Sequence, residues 1–182
     1  MKKILFISFL LLSLISNSQN FEYQIRFEGI GDNREYSPEY AIPQTILGTR
    51  GAFELGVEID GHRLRGGLSQ LYEFGSAIDF HQPKLTMYYQ FKDKQTEFVF
   101  GAFPRSGKIN FPLAMLTDTL LYYRPNIEGF FGEVNWDWGH QNGFVDWVSR
   151  QTETERENFM AGFSGEIGYK NIFIQNYLLL FH

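Results

Sequence analysis

Apolar and polar residues alternate with a two-residue period through most of the chain beyond residue 20. The clearest stretch is 53–60, where Phe53, Leu55, Val57 and Ile59 interleave with Glu54, Gly56, Glu58 and Asp60. A period of two sends alternate side chains to opposite faces of an extended strand. The same reading predicts nine strands, at 22–30, about 44–60, about 62–75, 84–92, 95–103, 126–138, 143–150, 158–168 and 171–182. The ninth is apolar on both faces, with Ile172, Ile174, Leu178 and Leu180 against Phe173, Tyr177, Leu179 and Phe181, so the pattern leaves its facing open.

The joints between these segments alternate in length. Those at 31–43, 76–82, 104–125 and 151–156 are long, whereas Asp60-Gly61, Asp93-Lys94, Gly139–Asn142 and Tyr169-Lys170 are tight. Short turns at one rim and long loops at the other mark an up-and-down membrane barrel. Tilted strands of about 9–11 residues cross a bilayer, which suits the predicted segments. The fold class is therefore all-β, an antiparallel up-and-down transmembrane β-barrel or partial barrel. Pro112–Leu121, inside the longest joint, is rich in Leu, Ala and Met and predicts a short helix. Nine is an odd count, while bacterial single-chain barrels have an even one. A split or missed strand would explain this; the preferred expectation is the N-terminal part of a longer barrel.

The leader fixes the orientation. Met1–Gln19 has a basic start at Lys2 and Lys3, an apolar stretch from Ile4 to Ile15 and a polar end, the pattern of a cleaved secretory signal. Residues 1–19 are read as the signal peptide and 20–182 as one barrel domain. With the mature N-terminus in the periplasm, every long loop falls outside the cell. The absence of cysteine excludes a lipid-modified cysteine, disulfides and thiolate metal sites. A net charge of −5, without any Lys/Arg run, speaks against nucleic acid as a partner. Aromatic residues make up 18% of the chain, with 19 Phe and 10 Tyr, which favours strands with crowded faces.

In a membrane barrel the apolar stripe faces lipid and the polar stripe faces the lumen. That assigns Glu54, Glu58, Arg63, Arg65, Glu73, Glu133, Asp137, Asp146 and Arg150 to the lumen wall, and Trp136 and Trp138 to an aromatic girdle. Paired carboxylates on that wall could serve glycoside hydrolysis, but cross-strand charge pairing that polarises a wet interior is the preferred reading. His62, His81, His140 and His182 are scattered without ligand spacing, so no metal and no cofactor are expected. Ser164 lies in Gly162-Phe163-Ser164-Gly165, which lacks the spacing of a nucleophile elbow. Outer-membrane lipases pair a Ser with a His on the barrel wall, and no such pair stands out along this chain.

Gly101-Ala102-Phe103-Pro104-Arg105, Tyr122-Tyr123-Arg124-Pro125-Asn126, Asp146-Trp147-Val148-Ser149-Arg150-Gln151 and Ala161-Gly162-Phe163-Ser164-Gly165 carry a further indication. With them the chain resembles uncharacterised, porin-like outer-membrane barrel proteins of Bacteroidota. The resemblance implies a fold and a location in the cell outer membrane, and no reaction. The expected function is a porin-like channel or structural barrel with a charged lumen, and not an enzyme. Its partners would be outer-membrane lipid and the barrel-assembly machinery. The alternative is a secreted soluble β-barrel binding an apolar or glycan ligand; a barrel-embedded hydrolase ranks third.

Overall fold

The computed structural model describes residues 20–34, 44–78 and 81–182. The leader, most of the 31–43 joint and part of the 76–82 joint lie outside the described residues. Nine strands form one sheet in sequence order: β1 (Asn20–Arg34), β2 (Gln44–Ile59), β3 (His62–Glu73), β4 (Lys84–Lys92), β5 (Thr96–Pro104), β6 (Asn126–Trp136), β7 (Gly139–Ser149), β8 (Asn158–Tyr169) and β9 (Ile172–Phe181). Every neighbouring pair is antiparallel. The architecture is thus all-β and up-and-down, as the alternation predicts. The sheet is not closed, since its pairing order starts at β1 and ends at β9. That is consistent with a partial barrel. No helix among the described residues is long and apolar enough to cross a membrane.

The two faces of the sheet differ as the two-residue period requires. Phe21, Tyr23, Ile25 and Phe27 of β1 are at least 70% exposed on the outer face. Phe53, Leu55 and Val57 of β2 share that face, while Arg50 and Glu54 turn inward and are buried. The inner face is not uniformly polar. Val99, Phe103, Ile127, Phe131, Phe144 and Met160 form a buried apolar cluster there. Tyr177 and Leu179 pack against this cluster whereas Leu178 and Leu180 are exposed, which settles the facing of β9.

The tight joints are hairpin turns. Asp60 and Gly61 have φ of 50° and 83°, the pair of positive values that such a turn demands. One joint differs from expectation. The turn between β6 and β7 lies at Asp137-Trp138, because Trp136 pairs with Gly139 and the ladder runs on through Asn142. Asn142 has turn-forming chemistry, but its Oδ1 accepts a hydrogen bond from Ser164 Oγ at 2.7 Å across the sheet, so it is held in a strand.

The 105–125 segment folds back over the inner face. The predicted helix at 112–121 is displaced: a turn closes first, with Met115 N and Leu116 N donating to Pro112 O at 2.8 and 3.1 Å. Helix α1 (Asp118–Tyr123) begins only after Thr117, whose backbone is extended (φ −72°, ψ 146°). Phe111 of this segment enters the apolar cluster, edge-on to Phe144 with ring centroids 5.9 Å apart.

Candidate active site

Two buried arginines hold the 105–125 segment in place. Arg105 donates from Nε to Arg124 O at 3.1 Å and from Nη2 to Asn126 O at 3.0 Å, and its Nη2 also binds Asp146 Oδ2. The backbone N–H of Glu128 donates to Asp146 Oδ1 at 2.9 Å. Burial lowers the affinity of the Arg105 guanidinium for its proton, and the Asp146 carboxylate opposes that effect. Arg50, on β2, donates from Nη1 to Leu121 O at 3.0 Å and from Nη2 to Tyr122 O, so it caps the carbonyl end of α1. A Cβ on Gly48 would lie 2.5 Å from the Tyr72 carbonyl oxygen and 2.9 Å from the Tyr122 hydroxyl, so the glycine admits both β3 and the helix.

Docked in this way, α1 completes a cluster at the long-loop rim of β3. Ser69, Leu71 and Glu73 share the inner face of that strand, as their period-two spacing requires. The chain then returns so that His81 N donates to Leu71 O at 3.2 Å, and Gln70 Nε2 donates to His81 O. This pins the imidazole beside the strand end, where His81 Nε2 bonds Glu73 Oε2. The hydroxyl of Tyr123, from α1, donates to the other carboxylate oxygen, Glu73 Oε1, at 3.0 Å. Burial and the hydrogen bond to Glu73 raise the Tyr123 phenol above its ordinary range, so it stays protonated and donates. Burial together with the Glu73 charge raises Tyr122 in the same sense.

Ser69 is 5% exposed, and its Oγ has no hydrogen-bond partner among the described residues. A buried hydroxyl left unpaired costs free energy, so it asks for an explanation. It lies where two cavities meet. One, of about 340 Å³, is lined by Arg50, Ser69, Leu71, His81, Lys84 and Tyr123. The other, of about 290 Å³, is mostly apolar and is lined in part by Ile30, Ala52, Pro104, Leu121, Tyr122 and Pro125, again with Arg50 and Ser69. Its charged wall is self-paired: Arg26 binds Glu54 at 2.6 Å and Arg50 reaches Glu28 at 3.4 Å.

The charged residues singled out in the sequence are distributed as follows. Arg63 and Arg65 both reach Glu22 at 2.7 Å, and Arg65 lies 3.9 Å from Glu54. Glu58 accepts from Gly61 N at 3.0 Å beside the first turn. Glu133 lines a third, polar cavity of about 490 Å³ together with His140, Ser164 and Glu166. Asp137 is exposed in the β6–β7 turn and Arg150 is exposed beyond the end of β7. Trp136 and Trp138 stack at 5.2 Å and 8° on the exposed surface.

The family model described as "Lipid A 3'-O-deacylase-type" matches residues 15–182. The chain belongs to this family. No curated protein matches it. Membership corrects the expectation that the protein is not an enzyme, because the family is named for the hydrolysis of a lipid ester. No Ser/His pair stands out in the sequence because the two residues lie on different segments, one on a strand and one in the connection that follows it. Ser69 and His81 share a cavity through the fold of the β3–β4 connection, with Glu73 between them in sequence.

Proposed function

We propose that this protein is an outer-membrane β-barrel hydrolase that removes an O-linked acyl chain from an acylated glycolipid, with Ser69 as nucleophile. The observation that carries the reading is the unpaired Ser69 hydroxyl at the junction of a mostly apolar cavity and one of mixed lining that holds His81, Lys84 and Tyr123. An ester presents an apolar acyl group on one side of its carbonyl and a polar alcohol on the other, so its reacting carbon belongs at such a junction. The family name supports the same chemistry.

The roles follow from a nucleophile–base–acid set. Ser69 Oγ attacks the carbonyl carbon, and its proton passes to the ring nitrogen of His81 that Glu73 does not bind. His81 returns that proton to the alcohol oxygen as the ester C–O bond breaks. Water then repeats the sequence, releasing the fatty acid and restoring Ser69. Glu73, steadied by Tyr123, orients the imidazole and stabilises its charged form. Lys84 makes no ion pair among the described residues and lines the same cavity, which suits it to the developing oxyanion or to an anionic head group.

The location follows the same reading. Barrels of this kind carry their long loops on the outer side, and Glu73, His81 and α1 all sit at the long-loop rim. The porin-like channel has less support, because the 105–125 segment covers the inner face that would line the passage. Incubating the purified protein with lipopolysaccharide and analysing the products by mass spectrometry tests the proposal. Release of one fatty acid by the wild type, and none by Ser69→Ala or His81→Ala, is the expected result.

A further inference from the structure

The apolar cavity carries a second inference, which rests on the hydrolase reading for its biological meaning but has its own physical basis. Ala52 on β2 stands directly opposite Ser69 on β3, and both line that cavity. Facing residues on one side of an antiparallel pair bring their Cβ atoms within about 5 Å of each other. The methyl of Ala52 therefore bounds the space next to the nucleophile. Arg26 flanks Ala52 across the β1–β2 pair, and it is tied back to Glu54, so it leaves the space open. Ile30, Pro104, Leu121, Tyr122 and Pro125 supply the apolar part of the remaining wall, and Glu28 and Arg50 on it are paired with each other.

We infer that Ala52 sets the length of alkyl chain that this cavity accepts. A small residue at this position leaves the cavity continuous from Ser69 to α1, so a long chain can lie against Ile30 and Leu121. Each methylene moved from water into such a cavity favours binding by roughly fourfold. A leucine in place of Ala52 adds three carbons beside Ser69 and displaces a similar number of methylenes. The preference for a long chain over a short one should then fall by about 60-fold.

The test titrates dodecanoate and butyrate against dansylaminoundecanoate bound to the full chain in amphipol, comparing wild type, Ala52→Leu and Ala52→Gly. Heat-modifiable gel migration checks that each variant is folded. The expected result is a fall of about 60-fold in the dodecanoate-to-butyrate affinity ratio for Ala52→Leu and no fall for Ala52→Gly. An unchanged ratio in a folded Ala52→Leu protein overturns the inference. If Ala52→Leu does not fold, Ala52→Gly decides alone: a ratio that falls with the smaller residue overturns it. Because the readout is binding, it is independent of whether Ser69→Ala abolishes hydrolysis, which tests the hydrolase reading separately.

Discussion

Arg105 and Asp146 form an ion pair in which both side chains are fully buried, one at the start of the 105–125 segment and the other on β7. Arg124, at the far end of the segment, approaches the same carboxylate at 3.6 Å. One aspartate thus ties down both ends of the longest connection, and the α1 wall of the candidate site depends on it. Removing one partner of a buried pair strands the other charge and costs about 3–5 kcal/mol. Asp146→Asn is expected to lose stability on that scale in urea unfolding in detergent micelles. Asp137→Asn, at an exposed turn position, should stay within about 0.5 kcal/mol of wild type.

The Arg50 clamp predicts a separable effect. Arg50→Met removes the donors that hold Leu121 O and Tyr122 O but leaves the β2 ladder intact. The expected outcome is rapid trypsin cleavage after Lys108 or Arg124 in a protein whose sheet still resists proteolysis. Lipid-ester hydrolysis should drop at least about tenfold, the equivalent of losing one charge-assisted hydrogen bond.

The β4–β5 turn should show a defined pH dependence. Asp93 Oδ1 accepts from Gln95 N at 2.8 Å and Thr96 N at 2.6 Å, and these bonds hold its carboxyl below the usual carboxylate range. A depressed folded-state value means that the contribution is complete above the unfolded value of about 3.9 and is lost as pH falls through the lower folded one. The protection of the Gln95 and Thr96 amides against exchange, relative to their intrinsic rates, should therefore fall only below about pH 3.9 in the wild type. In Asp93→Ala that protection should already be low at neutral pH and show no such acid step.

Trp136 and Trp138 stack beside the short-turn rim and are 43% and 52% exposed. If they belong to an interfacial girdle, lipids brominated close to the head group should quench their fluorescence more than lipids brominated near the chain ends. Trp147→Phe removes the third tryptophan, which lies towards the opposite rim with its Nε1 on Glu157. Equal quenching by both lipids would argue against the girdle.

The strands and their faces were legible because a two-residue period is local: Phe53, Leu55 and Val57 announce their side without reference to any other segment. The site was not. Ser69 and His81, twelve residues apart, line one cavity because His81 is hydrogen-bonded back to β3, and Tyr123 arrives from a helix 50 residues beyond Glu73. Nothing in the local pattern sets Arg50 or Arg105 apart, since only the docked 105–125 segment reveals which carbonyls they serve. The same segment explains why the inner face carries Val99, Phe131 and Phe144: these positions were legible as inward-facing, but not as the floor for an inserted Phe111. Asn142 misled in the opposite sense, because a residue with turn chemistry found a partner in Ser164 and stayed in a strand.

The central claim is that Ser69 is an activated nucleophile. Treating the folded protein with a long-chain alkyl fluorophosphonate and mapping the adduct by mass spectrometry tests it most directly. The account predicts a single phosphonylated peptide containing Ser69, with labelling slowed at least about a hundredfold in His81→Ala, as loss of a general base implies. An adduct on another serine, or hydrolysis that persists while Ser69 stays unmodified, would contradict it.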